Sequence, residues 1–600
     1  MAGKTYYVSG KGNDNSNGLK EGSAFRSLGR AVYQMKTGDT LYVMNGTYDK
    51  GATLFNFNGS ANNWTTIKAY PGATPIIKTI GSGFNIFSSS YVRIEGLDLE
   101  GNRKNITLEY ALQQKNNPNN PLTSATGINI KAWKNSQGVG GSNPHHIVIS
   151  DNKVSNFPGG GIESSDSDYI TIEKNIVSGN AWYTPYGGQG ITTLFATNSD
   201  HNTTDYKIIY RDNIVFDNQS LVPWKQVGKI SEGHGLMLDS TNQSRNGTPY
   251  LGKTLIANNI VYNNGNSGID AFQAKNVDII NNTVYKNSRN VANTGEIKVN
   301  YSENVRVDNN IMYASNNQVA NVLKYSKNVN FNHNLVYNSN QFQASDNLKA
   351  TGLQNILGKD PKFVDAAGGN FALKPGSAAI DAGSNAFNSI TKNIPQDGDG
   401  NGTAVIDIGA YEARHTSVRS PNDLNNNIVG FDNSNDVING LGGNDTINGY
   451  GSNDQLRGGT GNDLLIGGQG NDLLVGGMGA DSFLYNTKAA FTRAAVGIDT
   501  MSTTGYAYAD FNHSQGDKIV LDKTTFSAIT SVVGTGFSKA SDFQITSLGA
   551  ASKAAIVYNP MSGQLLYNQN GSAAGFGTGG EFAQLTGATT LTASDFIVQA

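Results

Sequence analysis

Short runs of alternating apolar and polar residues mark the middle of the chain. Residues 168–173 and 304–308 are two examples, each with a pair of β-branched residues two positions apart. This period of two is typical of half-buried β-strands. No helical period runs through residues 161–324, so the pattern predicts strands throughout this region.

A three-residue phrase recurs here at intervals of mostly about 30 residues, which indicates an internal repeat. Each copy has a small, an apolar and a variable residue. One such unit cannot bury its apolar face alone, whereas stacked units can. We therefore predict an all-β fold, a right-handed parallel β-helix. The copies are Gly161-Ile162-Glu163, Gly190-Ile191-Thr192, Gly235-Leu236-Met237, Gly268-Ile269-Asp270, Glu296-Ile297-Lys298 and Val322-Leu323-Lys324.

Each copy is followed by an asparagine next to an apolar residue. In stacked coils these side chains would form an internal ladder, with amides that satisfy the turn backbone and one another. We predict a structural role for the ladder and no chemistry. Its members are Asn175, Asn213, Asn259, Asn282, Asn310 and Asn334.

The variable residue of the phrase should point outward, because successive strand side chains alternate faces. Coils stack about 4.8 Å apart, so outward residues form a column. A second column, two residues further along, contains Ser165, Asp239 and Asn300. Acids and lysines thus converge on one face, where we expect chemistry. The first column contains Glu163, Thr192, Met237, Asp270, Lys298 and Lys324.

The flanking segments predict caps. Residues 1–50 contain apolar positions at helical spacing, from Phe25 to Met35, which would plug the open end of the solenoid. Residues 360–412 are predicted to cap the other end, which closes a β-helix domain at 1–412. Asp397 and Asp399 could bind calcium or form an ordinary Asp-Gly turn. The polar residues 413–425 are a predicted linker to a domain at 426–600.

Composition excludes several classes. The 44 basic and 47 acidic residues give a net charge of −3, so no strong field attracts nucleic acid. No apolar run approaches the roughly 20 residues of a membrane span. The chain has no cysteine, which excludes disulfides and thiolate metal sites. Its first residues lack the apolar core of a signal peptide, and we expect a monomer.

A nonapeptide rich in Gly, Asn and Asp repeats in register near residues 439–483. Calcium takes six to eight oxygen ligands, and Gly-rich turns free backbone carbonyls while Asp adds charge. An apolar residue recurs at the same position of each nonapeptide, and a plain Gly-rich linker would not maintain such a pattern. We predict a calcium-binding parallel β-roll in which an aspartate recurs every nine residues: Asp436, Asp445, Asp454, Asp463, Asp472 and Asp481.

These nonapeptides resemble the RTX (hemolysin-type) repeats of Gram-negative bacteria, and residues from about 430 to 600 are similar to the C-terminal part of such proteins. The resemblance implies type I secretion without a cleaved signal peptide, with the secretion machinery as a partner. It also implies an extracellular location and folding on calcium binding.

The N-terminal cap contains Tyr6-Tyr7-Val8 and Gly38-Asp39-Thr40. Through these residues in large part, residues 1–412 resemble the right-handed β-helix polysaccharide lyases, most closely family nine, which contains pectate lyases. In that family a lysine is the base, and aspartates from preceding coils hold calcium. The resemblance implies these roles for Lys298 and Asp270. Asn266 and Ser267 stand where the family has paired aspartates, so calcium in the active site and pectate as substrate are open questions.

The expected chemistry is β-elimination on a uronic acid, in which a base removes the C5 proton and a cation neutralises the carboxylate. Lys298 and Lys324 are predicted to stack, which would lower the pKa of Lys298, whereas Asp270 would oppose this. We predict catalytic roles for Lys298, Asp270, His234 and Asp239. Substrate binding is predicted for Glu163, Glu232, Lys324, Trp182, Tyr183 and Tyr186.

Each of these residues also has a structural alternative. The lysines could be solvated, Asp270 could be an ion-pair partner, His234 a turn residue, and the aromatic residues a cover for the core. Three functions compete: a secreted lyase on an acidic polysaccharide, a glycoside hydrolase that uses Asp239 with Asp270 or Glu232, and a non-catalytic glycan-binding protein. An alginate C5-epimerase ranks lower, because residues 143–146 (Asn-Pro-His-His) lack its Asp-Pro-His-Asp/Glu motif.

Overall fold

The structure is a computed structural model in which the chain forms two compact units, residues 1–413 and 414–600. The predicted linker lies outside the described residues except for residue 425, as do Asp397 and Asp399. None of the described helices is long and apolar enough to cross a membrane. The described residues are 3–134, 140–316, 318–339, 342, 354–374, 376–395, 404–412, 425–430, 436–487, 489–502, 511–547, 552–571, 573, 575–586 and 591–600.

The first unit is a parallel β-helix with three sheets, which confirms the predicted fold. Sheet 1 contains Ala52–Phe55, Phe84–Phe87, Ile128–Lys131, the first half of Ile162–Glu173, Ile191–Ala196, Leu236–Asp239, Ile269–Phe272, Ile297–Asn300 and Asn321–Lys324. Sheet 2 contains Thr5–Val8, Thr40–Val43, Thr65–Ala69, Ser90–Glu95, His145–Ser150, the second half of Ile162–Glu173, Tyr206–Arg211, Lys253–Ala257, Lys275–Ile280, Glu303–Asp308 and Lys327–Asn332. Sheet 3 contains Thr47–Tyr48, Ile76–Lys78, Asp98–Glu100, Lys153–Ser155, Ile176–Ser178, Ile214–Phe216, Ile260–Tyr262, Thr283–Tyr285, Ile311–Tyr313, Leu335–Tyr337 and Ile356–Leu357.

Each coil passes through the three sheets in turn and pairs in parallel with the next coil. The apolar member of the repeated phrase points inward, as predicted. Successive copies align one above another and are fully buried, so stacking supplies the core that a single coil lacks. The aligned residues are Ile162, Ile191, Leu236, Ile269 and Ile297.

The predicted asparagine ladder is confirmed. The Oδ1 atom of Asn213 accepts hydrogen bonds from the backbone nitrogen of Asn175 at 3.0 Å and from its side-chain amide at 3.1 Å. The same pair of bonds repeats along the coils from Asn152 to Asn355. The residue before each member from Asn152 to Asn334 has φ between 49° and 58°. Residues other than glycine rarely adopt this left-handed backbone conformation, and the ladder holds the turn in place.

A second ladder, which the sequence analysis missed, runs through Asn180, Asn218, Asn264 and Asn287. It ends at Glu296, whose Oε2 atom accepts hydrogen bonds from the backbone nitrogen of Asn287 at 3.1 Å and from its amide at 2.7 Å. Glu296 is 1% exposed, and this burial raises its pKa to about 8. The carboxyl group at the end of the ladder is therefore protonated at neutral pH.

We expect Glu296→Gln to stabilise the β-helix at neutral pH. The pKa of Glu296 is about 8 in the folded chain against an ordinary 4.5, so unfolding releases its proton and wild-type stability falls as pH rises between these values. The gain at pH 7 should be on the order of 1–3 kcal/mol. All four tryptophans lie in the first unit, so denaturant titrations followed by tryptophan fluorescence measure it. The control is Glu303→Gln, at a partly exposed Lys275 ion pair. A less stable Glu296→Gln variant would contradict the account.

The predicted N-terminal helix is present at Leu28–Gln34. Ser27 caps it, since its side chain accepts a hydrogen bond from the backbone nitrogen of Arg30 at 3.3 Å. The helix contributes Leu28, Ala31 and Val32 to the β-helix core. The other helical segments of this unit are Glu21–Ser23, Arg103–Asn105, Leu108–Gln113, Pro121–Ser124, Asn385–Phe387 and Asn388–Thr391.

The segment predicted as the C-terminal cap contains an antiparallel hairpin, Phe363–Asp365 with Asn370–Leu373. Phe363 and Phe371 pack against outward-facing residues of sheet 3 from four successive coils, namely Ile260, Tyr285, Ile311 and Leu335. The hairpin therefore covers one side of the last coils.

The second unit consists of two further sheets with their own apolar core. Its helical segments are Arg493–Val496, Ala540–Asp542 and Ala593–Asp595. One sheet contains Asn427–Val429, Thr446–Asn448, Leu464–Ile466, Ser482–Tyr485, Lys518–Asp522, Phe596–Gln599 and Gly534–Thr535. The other contains Val437–Asn439, Gln455–Thr460, Leu473–Met478, Asp499–Ser502, Gly580–Thr586, Gln564–Tyr567, Ile556–Asn559 and Phe543–Ile545. Successive nonapeptides alternate between the two sheets, which is the predicted β-roll.

Candidate active site and calcium-binding repeats

A groove of ≈ 1340 Å³ lies along sheet 1. Parallel register places five of the predicted outward residues in one column across five coils, and all five line the groove: Glu163, Thr192, Met237, Asp270 and Lys298. Asp239 and Phe272 line it from the second column. His234 and Glu232 reach it from the segment before the strand Leu236–Asp239.

Lys324 differs from its prediction. Lys298 pairs with Val322, while Lys324 pairs with Asn300, two positions further along the strand. The predicted stacking of Lys298 on Lys324 is therefore wrong. The strand begins at Asn321, a buried polar residue at a position that is apolar in the preceding coils. Lys324 is exposed and is not among the residues that line the groove.

Lys298, Asp270 and His234 form a cluster in the groove. Lys298 Nζ donates a hydrogen bond to Asp270 Oδ2 at 2.7 Å, and His234 Nε2 lies 3.5 Å from the same oxygen. Asp270 is fully buried. Burial raises the pKa of Asp270, although the charge and hydrogen bond of Lys298 oppose this. Burial, with help from the charge of Lys298, holds the pKa of His234 well below its usual value. His234 is therefore neutral.

Glu232 is a buried acid that is held in one orientation. Its Oε1 atom accepts a hydrogen bond from Ser231 at 2.9 Å, and its Oε2 atom accepts one from the Gln189 amide. Gln189 is itself fixed, because its Oε1 atom accepts hydrogen bonds from the backbone nitrogens of Gly233 at 3.0 Å and of His234 at 2.7 Å. Burial raises the pKa of Glu232 to about 7, and the charges of Asp239 and Asp270 add to the effect.

Two further acids line the groove. Asp239 accepts a hydrogen bond from Ser240 at 2.9 Å, and burial raises its pKa while Arg245 opposes the shift. Glu163 accepts a hydrogen bond from Thr126 at 3.1 Å, and burial likewise raises its pKa. The groove thus holds four acids with raised pKa values together with the cations Lys131, Lys229, Arg245 and Lys298.

The predicted aromatic residues divide into two groups. Tyr186 is exposed and lines the groove, together with Trp224 from a neighbouring loop. Trp182 stacks on the Arg103 guanidinium at 4.1 Å and donates a hydrogen bond to the backbone oxygen of Asp217. Tyr183 is buried in a small apolar cluster. Trp182 and Tyr183 are not among the groove residues, so their contacts match the alternative of covering the core.

The residues of the groove do not fit the calcium site of the resembling lyase family. Asp270 already binds the Lys298 ammonium. Asn266 donates a hydrogen bond to the backbone oxygen of Ser231 and accepts one from the Ser267 nitrogen. Ser267 donates to the backbone oxygen of Thr294. Asn266 and Ser267, at the positions of the family's paired aspartates, are therefore engaged by protein groups, while Asp270 keeps one buried oxygen, Oδ1, without a hydrogen-bond partner among the described residues.

The nonapeptide repeats, in contrast, fit calcium. A Cβ added to Gly440 would lie 2.2 Å from Asp445 Oδ2 and 2.4 Å from the backbone oxygen of Gly458. The same oxygen-lined position recurs beside Gly449 and Gly458. Oxygen ligands of this kind suit calcium. Among the described residues, no hydrogen-bond partner is present for the buried Oδ2 atoms of Asp445, Asp454, Asp463 and Asp472, while Asp436 and Asp481 complete the series.

Comparison with known proteins matches residues 432–465 and 451–483 to the family model of the RTX calcium-binding nonapeptide repeat. The chain therefore carries RTX repeats, which imply calcium binding. No curated protein sequence matches the chain.

Among solved structures, pectate lyase Pel9A is 15% identical over 69% of this chain and 97% of its own, with a TM-score of 0.40. The A-module of the mannuronan C-5 epimerase AlgE4 from Azotobacter vinelandii is 14% identical over 53% and 88%, with a TM-score of 0.28. An alginate lyase from Paenibacillus is 15% identical over 51% and 95%, with a TM-score of 0.26.

Sequence reasoning missed Gln189 and Arg245 as groove residues. Gln189 directly precedes a repeated phrase, so the stacked register could have placed it beside His234. Arg245 lies between strands, in a segment whose path the repeat does not determine.

Proposed function

We propose that residues 1–412 form a polysaccharide lyase that cleaves an acidic, uronate-containing polysaccharide by β-elimination. The observation that carries the proposal is the Lys298 ammonium in the groove, 2.7 Å from the buried carboxylate of Asp270. Cations along the same groove favour an anionic substrate. Tyr186 and Trp224 would bind sugar faces.

In the proposed mechanism Lys298 is the base. Its proton would pass to Asp270 Oδ2, which lies 2.7 Å from Nζ. The free amine then removes the C5 proton of the uronic acid. The C4–O bond breaks, a C4–C5 double bond forms, and the leaving oxygen takes a proton from Glu232. Lys131 and Arg245 would neutralise the substrate carboxylate, which makes the C5 proton acidic. No calcium takes part in these steps.

The other predicted catalytic residues act through these groups. His234 is neutral, so its contact with Asp270 adds no positive charge that would oppose protonation of the Asp270 carboxylate. Asp239 helps to keep Glu232 protonated by its negative charge. We propose that Glu163, further along the column, contacts a more distant sugar.

Replacing Glu232 with glutamine should lower kcat by roughly 10²-fold or more, because the leaving oxygen loses its proton donor. Activity of the wild type should fall above pH 7, where Glu232 loses its proton, since its pKa is about 7. The variant should lack this decline. The measurement is kcat against pH, with Glu173→Gln, at an Arg211 ion pair on sheet 2, as the control. An unchanged wild-type-like profile in Glu232→Gln would exclude the assigned role.

One observation favours a second candidate, a glycoside hydrolase. Glu232 holds a proton near neutral pH and is close enough to Asp239 for the charge of Asp239 to raise its pKa. A general acid beside a carboxylate is the arrangement that hydrolysis of a glycosidic bond requires. Product chemistry separates the two, because a hydrolase makes reducing ends without an unsaturated uronate.

We also propose that the protein is exported by type I secretion and folds outside the cell. RTX repeats, which residues 432–483 match, are typical of secreted proteins of Gram-negative bacteria. Calcium binding by the repeats would then couple folding to the extracellular medium, since ligands that bind only the folded state stabilise it.

A further inference from the structure

The aspartate ladder of the second unit continues beyond the nonapeptide repeats. Within them, each aspartate nitrogen donates a hydrogen bond to Oδ1 of the aspartate 18 residues later, as in Asp454 to Asp472 at 2.7 Å. Asp472 makes the same bond to Asp499, 27 residues later, at 3.1 Å. Asp481 makes it to Asp517, 36 residues later, at 2.9 Å. Two residues outside the repeat motif, Asp499 and Asp517, thus extend the aspartate ladder.

At Asp499 the oxygen atoms around the ladder differ from those in the regular coils. In a regular coil, a Cβ added to Gly458 would meet Asp463 Oδ2 at 2.2 Å and the backbone oxygen of Gly476 at 2.6 Å. A Cβ added to Gly467 would meet Asp472 Oδ2 at 2.3 Å and Asp499 Oδ2 at 3.0 Å. A second carboxylate oxygen therefore takes the place of a glycine carbonyl.

The two carboxylates are buried together. Asp472 and Asp499 are each 2% exposed, and the Tyr485 hydroxyl lies beside both. Neither Asp472 Oδ2 nor the Tyr485 hydroxyl has a hydrogen-bond partner among the described residues. Among the described residues neither Asp472 nor Asp499 forms an ion pair; the pair of His513 with Asp595 involves neither carboxylate. Burying two like charges without a counter-charge is costly, and a bound cation removes the cost.

We propose that Asp472 of the last repeats binds a further calcium ion together with Asp499 and the Tyr485 hydroxyl, where the nonapeptide repeats end. These groups supply three of the six to eight oxygen ligands that calcium takes, and two of the three are carboxylates. The strand that begins at Asp499 pairs with the strand Gly580–Thr586, which lies beyond the repeats in the chain. The site therefore couples the non-repeat end of the second unit to calcium binding.

The test uses the full-length protein and counts calcium ions bound at saturation by equilibrium dialysis. Asp499→Asn should bind one ion fewer per chain than the wild type. The control, Asp595→Asn, should bind the wild-type number, because the carboxylate of Asp595 is occupied by Thr592 and His513. An unchanged number of bound ions in Asp499→Asn would overturn the proposal. It would indicate that Asp472 and Asp499 share a proton instead of a calcium ion, because asparagine resembles a protonated aspartic acid.

A second measurement uses terbium in place of calcium. The terbium emission that is excited through tyrosine should fall in Tyr485→Phe. Phenylalanine retains the aromatic ring, but it lacks the hydroxyl ligand and the tyrosine absorbance that excites the ion. Should Asp499→Asn fail to fold, Tyr485→Phe decides alone. Sensitised emission equal to that of the wild type would overturn the proposed position of the ion.

Discussion

Lys298→Ala is expected to lower kcat on a uronate polymer by roughly 10²–10⁴-fold, the usual contribution of a general base. The methyl side chain cannot take the C5 proton, and Asp270 loses the ammonium 2.7 Å away. KM should change little, because other groups bind the sugar chain. The measurement is steady-state kinetics on the susceptible polymer at several pH values.

Two control variants separate the base from structural effects. Lys298→Arg keeps a positive charge beside Asp270 but cannot release its proton, since arginine stays charged. It should be as inactive as the alanine variant and as stable as the wild type. Lys275→Ala removes another lysine–carboxylate pair, 3.3 Å from Glu303 on sheet 2, and should keep full activity. Activity retained in Lys298→Arg would exclude Lys298 as the base.

Removal of calcium is expected to unfold the second unit and leave the β-helix intact. Without the ion, the Oδ2 atoms of Asp445, Asp454, Asp463 and Asp472 are buried and have no hydrogen-bond partner among the described residues. The two units have separate cores, so the first does not depend on the ion. With excess chelator, circular dichroism should lose part of its strand signal while tryptophan emission, which reports on the first unit, stays constant.

Adding calcium back should restore the signal with a midpoint of about 10⁻⁴–10⁻³ M, the range of extracellular calcium modules. Magnesium is the control, because it demands a smaller octahedral site and retains its waters. A strand signal that persists unchanged in chelator, or is restored equally by magnesium, would contradict the assignment of the repeats.

The fold could be predicted because its signals are local and repeated. The alternation of apolar and polar residues with a period of two identified the strands, and the period of the Gly-Ile phrase identified the coils. The Asn175–Asn213 ladder followed from the same register. The sequence analysis missed the second ladder, whose last member, Glu296, is a residue type that usually lies at the surface.

The site was less predictable, because it depends on register and on loop paths. The Lys298 column was correct as far as Asp270 and Glu163, where phrases were regular. It failed at Lys324, because buried Asn321 interrupts the apolar pattern and the phrase was read two residues late. The locked orientation of Glu232 depends on Gln189 from the preceding coil, a contact that no local pattern reveals.

The most direct test of the proposed function measures the ultraviolet absorbance of unsaturated uronates and the number of reducing ends, with wild-type protein and a panel of uronate polymers. The account predicts that both increase in equal amounts on at least one polymer. Reducing ends without the absorbance would establish a hydrolase instead. No change in either quantity on any polymer would contradict a lyase and leave a glycan-binding role.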